Sequence, residues 1–429
     1  MIRLDAVARQ PLHLGTQPDA GWLTDTHRFI PGSVVRGALA ASWLGRFRGP
    51  RPDTSSDDEF LRLFEGGLRY GPLYPSDDAL RPLSVFGCKY ACDGDAPVDA
   101  AFTEDLPARC PACGSPLEAS RGSVTGGQAV ENTRLELDRD GRAVEGKLFT
   151  RRALAAGTRL TGLVDGDLDA ECGWLGEPDL LVRFGGRRST SGLTELRATP
   201  VDERPRFDGY DPASRRLVLR MLSPGIFLDG LGRPSWFPDL VEIGTLLGVG
   251  TTVASAYLRP ATVGGWHAAS NLPKPRDFAV AAGSVFVLQL DGDPGVVGLD
   301  RLWRTGTGLR RAEGNGWVSL DRWRAPAPIQ QPSRSARRRS DALVIEVLGT
   351  GVGAEFVSDL RAWAQTGGGS DAQAGQRVLL GARRYGSLGE SRLNVLRKAL
   401  DLPPDEAAGL AQRLSEYLVV QTSRRGARR

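Results

Sequence analysis

The sequence predicts a strand-rich α+β protein of two domains followed by a helical C-terminal region. Three observations carry this. The chain has 429 residues, more than one hydrophobic core holds. Its 54 glycines and 28 prolines punctuate many short elements. Strand-like runs fill the chain to about residue 325, and beyond a Pro/Arg/Ser stretch the apolar residues recur at helical spacing.

Residues 2–14 alternate weakly and read as a first strand, followed by a Gly/Pro/Asp/Thr loop from Gly15 to Thr26. FIPGSVVRGALAASWL, residues 29–44, turns through Gly32 into a helix. Val35, Leu39 and Trp43 recur at helical spacing, and Ser33 is placed to cap it. DDEFLRLFEGG reads as a second helix ending at Gly66 and Gly67, and LRYGPLYP as a strand. Residues 133–164 read as a hairpin turning at Asp140-Gly141, followed by another strand. FGGRRSTSGLTELRA, residues 184–198, is a Gly/Arg/Ser loop joined to a short strand.

A second strand-rich unit begins near residue 205. LVLRMLSPGIFLD and FAVAAGSVFVLQL are its clearest strands, and Trp236, Phe237 and Trp266 read as packing residues. The boundaries expected are therefore 1–204 and 205–325 for the two domains, a basic linker at 326–340, and a helical region at 341–429. In the last, Leu393, Leu396 and Leu400 share a face, as do Leu410, Leu414 and Leu418, and RRGARR ends the chain as a basic tail.

Net charge is only +4, but from residue 331 onward 16 Lys+Arg face 10 Asp+Glu. Lysine is confined to Lys89, Lys147, Lys274 and Lys398, so arginine carries the positive charge. Arginine suits bidentate phosphate contacts. The N-terminal residues have no apolar signal-peptide core, and no run approaches the roughly 20 apolar residues of a membrane span. A cytoplasmic protein without a membrane partner is expected, its cysteines reduced or metal-bound.

Four of the five cysteines give the sharpest local pattern. Cys88-x3-Cys92, a seventeen-residue insert and Cys110-Pro-Ala-Cys113 can set four thiolates around a structural zinc. The fifth, Cys172, reads as a buried thiol. His13, His27 and His267 have no partner at metal-ligand or triad spacing. His27 could touch a ribose or phosphate, and Asp19 and Asp25 lie in the same loop. LVIEVLGTGVGAEFV contains Gly349-x-Gly351-x-x-Ala354, a dinucleotide fingerprint in outline, but no repeating β-α-β pattern follows it.

Taken in order, these segments resemble the RAMP superfamily of CRISPR proteins. IPGSVVRGALA resembles its opening, residues 133–164 its hairpin segment, and FGGRRSTSGLTEL its glycine-rich loop, with Gly192-Leu193 replacing the usual aromatic-Gly ending. DFAVAAGSVFVL resembles a strand in the second half of two-domain members. Length, second domain and cysteine insert look most like the type III-D subunit. The resemblance implies two ferredoxin-like (RNA-recognition-motif-like) domains with a zinc-binding insertion at about 84–120. It implies a non-catalytic protein that clamps the 5′ handle of crRNA and contacts the large polymerase-like subunit and the backbone RAMP subunits, meeting target RNA only indirectly. RNA contacts are then expected from Gly32, Ser33, Arg36, His27, Gly185, Gly186, Arg187, Arg188 and Ser189. The alternatives are target-RNA cleavage through Asp25 or Asp19, handle processing through His27, and a zinc-stabilised scaffold with nonspecific RNA binding.

Overall fold

The computed structural model describes residues 1–16, 23–48, 57–90, 92, 96–103, 105–166, 174–175, 180–186, 190–202, 205–267, 272–325, 343–366, 376, 379–381, 385, 388–403, 406–411 and 414. It divides into two compact units, Met1–Pro326 and Ala327–Arg429. The linker at 326–340, Cys172, Asp19, Arg187, Arg188, Ser189, Leu418 and the basic tail lie outside the described residues.

The first unit opens with β1 (Ile2–Ala8), in which Ile2, Leu4, Ala6 and Ala8 are buried on one face. This is the period-2 pattern of a strand with one core face. Helix α1 (Gly32–Phe47) buries Gly32, Val35, Ala38, Leu39 and Trp43, the stripe of a surface helix. DDEFLRLFEGG forms a short helix, Asp58–Phe60, capped by the Asp57 carboxylate and continued by one π-helical turn, Leu61–Glu65. Only Arg69–Tyr70 of LRYGPLYP is strand (β2).

Strands β3 (Val85–Cys88), β4 (Val98–Asp99) and β5 (Leu117–Ala119) form a small sheet with β3 in the middle. The expected hairpin is present as β6 (Ala129–Leu137) and β7 (Ala143–Leu154). Its turn is fixed by the Asp138 carboxylate, which accepts from the amides of Asp140 and Arg142. β8 (Arg159–Asp165), β9 (Leu180–Arg183) and β10 (Leu193–Pro200) complete an antiparallel sheet of order β9-β10-β1-β8-β2. Leu4, Leu39, Trp43, Phe64, Val164 and Phe184 share its core with α1.

The second sheet belongs to the same unit. β11 (Arg216–Met221), α2 (Leu240–Leu247), β12 (Thr251–Tyr257), β13 (Pro260–Val263), β14 (Asp277–Val280), β15 (Val285–Leu290), α3 (Gly295–Thr305) and β16 (Val318–Ser319) follow one another. β15 pairs with β11 on one side and β12 on the other, while β16 pairs with the far edge of β11. Asp239 caps α2 through the amides of Val241 and Glu242. FAVAAGSVFVLQL is two strands rather than one, because Gly283, at φ +87°, turns the chain between β14 and β15. Trp236 packs edge-on against Phe278 and Phe237 tilts against Phe286, yet both are about two-fifths exposed and Trp266 is more so.

The second unit is helical. Residues 343–349, α4 (Ala354–Thr366) and α5 (Glu390–Leu400) enclose Val347, Phe356, Leu360, Leu396 and Leu400, with Leu410 and Leu414. Leu396, Leu400, Leu410 and Leu414 of the leucine stripes are thus buried, and Leu393 is half-buried. Residues 343–349 are helix, so the glycines at 349 and 351 follow no strand and the dinucleotide fingerprint loses its framework. No described helix is long and apolar enough to cross a membrane.

Candidate nucleic-acid interface and metal centre

The four cysteines of the small sheet converge. β3 delivers Cys88, and the segment before β5 delivers Cys110 and Cys113 on a tight turn. There the Gly114 amide donates to the Cys110 carbonyl and the Cys110 amide to the Ser115 carbonyl, each at 2.8 Å. Gly114 has φ +69°, a conformation that a side chain would strain. All four sulfurs lie within 4.8 Å of one another, with Cys88–Cys113 at 3.5 Å and Cys92–Cys110 at 3.7 Å. A tetrahedron with 2.3 Å metal–sulfur bonds has edges of about 3.8 Å, so the donor set fits a metal ion. Hydrogen bonds from Ser115, and then from Cys88 and Cys92, hold the Cys113 thiol down at about 6, toward the thiolate a metal needs.

The residues expected at RNA fall into two places. Gly185, Gly186 and His27 meet around the segment 12–16. The Gly186 amide donates to the His13 carbonyl at 3.0 Å, and the His27 amide donates to the Leu14 carbonyl at 2.9 Å. A Cβ on Gly185 would collide with the His13 carbonyl, so glycine is required there. The His27 ring lies edge-on to Phe29, which stacks on Tyr74. Burial holds the imidazole below its ordinary value, with Asp25 opposing. Asp25 pairs with Arg152 of β7 at 3.6 Å, and Arg152 also binds Glu131 at 2.8 Å. The hairpin therefore stands beside this cluster.

The start of α1 is elsewhere and is engaged within the protein. Its cap position is Pro31 and no side chain caps it, so Ser33 does not cap the helix but stands exposed on its first turn. The Arg36 guanidinium donates to the Phe64 carbonyl and pairs with Glu65, joining α1 to the π-helical turn. Gly32 lies under the Tyr70 carbonyl and against Gly314. The Val34 and Val35 amides at this helix start already donate to the Pro31 carbonyl, at 2.9 and 3.0 Å. Gly32→Ala is expected to destabilise the chain by about 1–3 kcal/mol, since backbone on both sides must move. An unchanged urea midpoint would contradict this packing.

A cavity of about 380 Å³ within the first unit was missed by the sequence reading. Arg3, Arg206, Arg220, Arg322 and Arg324 line it, together with Asp78. The available signal was Arg220, a charge inside the otherwise apolar LVLRM.

With this geometry established, two family models match the chain. A RAMP superfamily model covers residues 6–192, and one described as CRISPR-associated protein (Cas_Cmr3) covers residues 131–309. Residues 6–192 are thus similar to the RAMP superfamily, and residues 131–309 to the CRISPR-associated Cmr3 family. No curated protein matches. Among solved structures, the chain is similar to a subunit of a type III-B Cmr-beta complex bound to cognate target RNA. Identity is 14%, 66% of this chain and 86% of that one are covered, and the TM-score is 0.39. It is also similar to a Cas6 of Thermus thermophilus, at 14% identity over 74% of this chain and 96% of that one, with a TM-score of 0.29.

Proposed function

We propose that this chain is a non-catalytic RNA-binding subunit of a type III CRISPR effector ribonucleoprotein. It clamps the 5′ repeat-derived handle of crRNA and caps the backbone beside the large polymerase-like subunit. The Cmr3-family match over residues 131–309 carries this reading. On the same ground, RNA and the other effector subunits are assigned as its partners. We read both sheets as ferredoxin-like, since β1 lies between β8 and β10 in the first, and β11 between β15 and β16 in the second. We read the metal as zinc. Four thiolates leave no open coordination position, so its role is structural. The cysteine insert gives the subunit a III-D-like character.

The handle is assigned to the cluster of His27, Gly185 and Gly186, continued through Arg187, Arg188 and Ser189. The Gly186 and His27 amides are engaged by the His13 and Leu14 carbonyls, so the arginines that follow this turn would supply the phosphate contacts. Asp25 is paired with Arg152 at 3.6 Å, which favours binding over cleavage through that carboxylate. In the assembled complex, Asp25→Ala is expected to leave RNA cleavage unchanged; its loss would assign catalysis here.

The test is to purify the protein with its genomic neighbours and sequence the RNA that accompanies it. One shared repeat-derived 5′ end is expected, and heterogeneous RNA would overturn handle recognition. With a fluorescent handle RNA, Arg187→Ala/Arg188→Ala should weaken binding about tenfold or more. It should also flatten the salt dependence by roughly 1.4, at about 0.7 per lost phosphate contact on a single strand. Unchanged affinity would remove this loop from the site.

A further inference from the structure

We propose that metal binding by the four cysteines and docking of their insert onto the second sheet are one coupled event, making the insert a metal-dependent latch between the two domains. This rests on the metal reading above. The second sheet is covered on both faces. Leu217, Leu219, Phe286 and Leu288 face the core shared with α2 and α3. Val218, Val285 and Val287 point the other way, yet all three are buried, because Ala101 and Phe102 of the insert pack over them beside Tyr257.

Polar contacts tie the same surfaces. Tyr257 Oη donates to the Ala100 carbonyl at 3.2 Å. The Leu83 amide donates to the Gly283 carbonyl at 2.8 Å, and Arg259 donates to the Arg121 carbonyl. The Arg322 guanidinium lies 4.3 Å from the Phe102 ring centroid.

The docking residues and the metal ligands share one small sheet. β4, just before Ala101 and Phe102, pairs with β3 at Val85 and Phe86. β3 ends at Cys88, which pairs with Leu117 of β5, next to the Cys110–Cys113 turn. Strands of four, two and three residues do not hold a sheet together alone. Two things order them: the metal, which closes the loops, and the valine face on which they lie. Each therefore strengthens the other, and by linkage the coupling is equal in both directions. While the latch is closed, the outer face of the second sheet is unavailable to RNA, which must bind elsewhere on the subunit.

Reciprocity gives the test. Phe102→Ala keeps all four cysteines and removes the docking side chain. Competition against a chromophoric chelator, with Zn²⁺ as the probe, should show the full-length variant binding zinc about tenfold more weakly than wild type. Tyr257→Phe, which deletes a single hydrogen bond, should weaken it about two- to threefold and guards against misfolding of the first variant. Conversely, chelation of wild type should speed amide exchange at 98–102 and 281–284 by tenfold or more. Equal zinc affinity in both variants, or faster exchange confined to 88–92 and 109–116, would overturn the coupling while leaving the metal site standing. A wild-type protein that binds no zinc would overturn both.

Discussion

Arg220→Ala should lower the stability of the folded chain by about 3–5 kcal/mol at neutral pH, read as a shift in the urea midpoint. Arg220 is 4% exposed, in the cavity of the first unit. Its Nη2 donates to Ser319 Oγ at 2.9 Å and its Nε to the Asp321 carbonyl at 3.1 Å, with the Asp78 carboxylate 3.9 Å away. Burial raises the carboxyls of both Asp78 and Asp321, and Arg220 is one of the groups pulling them back. Removing it leaves two partly desolvated carboxylates without that cation.

The pH dependence follows from the sign of these shifts. A carboxyl raised in the folded state binds more protons there than in the unfolded chain. Its contribution to stability is full below the ordinary carboxylate range and is lost as pH rises through the raised value. Without Arg220 both carboxyls rise further, so the deficit of the variant should narrow as pH falls from 7 toward about 4. A deficit equal at pH 5 and pH 7 would contradict the assignment, as would an unchanged midpoint.

Cys110→Ser is the second large effect. Cys110 is buried, its sulfur lies in the four-cysteine cluster, and its carbonyl closes the turn at Gly114. Bound zinc should fall from one per chain to none. Stability should drop by more than about 4 kcal/mol, as befits loss of a structural metal rather than of one side-chain contact. Wild type treated with a strong chelator should unfold at the same denaturant concentration as the variant. Full zinc occupancy in the variant would remove Cys110 from the ligand set, and wild type without zinc, or an unchanged midpoint, would show that these cysteines are only core thiols.

Legibility in the sequence tracked the distance over which each feature is encoded. The metal centre could be read because Cys110-Pro-Ala-Cys113-Gly114 is a local turn. The hairpin could be read because Asp138 and Gly141 set its geometry within five residues. The run before Gly349 was illegible because a short apolar run has no period long enough to separate strand from buried helix. Arg36 is ambiguous for another reason. Its position on the first helical turn is the same whether it meets a phosphate or Glu65, and Glu65 comes from an element 29 residues further along.

By itself the sequence determined the two-sheet α+β character, the leucine-striped helices, the four-cysteine centre and the ordered segments of the RAMP resemblance. These are set by alternation, helical spacing and turn chemistry, which act between near neighbours. Only the tertiary structure decided that the start of α1 faces Gly314, that Gly185 and Gly186 join His27 across the segment 12–16, and that the insert covers Val218, Val285 and Val287. Those contacts join residues tens to hundreds of positions apart. They arise because buried polar groups and apolar faces must find partners wherever the packed chain brings them, and no local pattern names the partner.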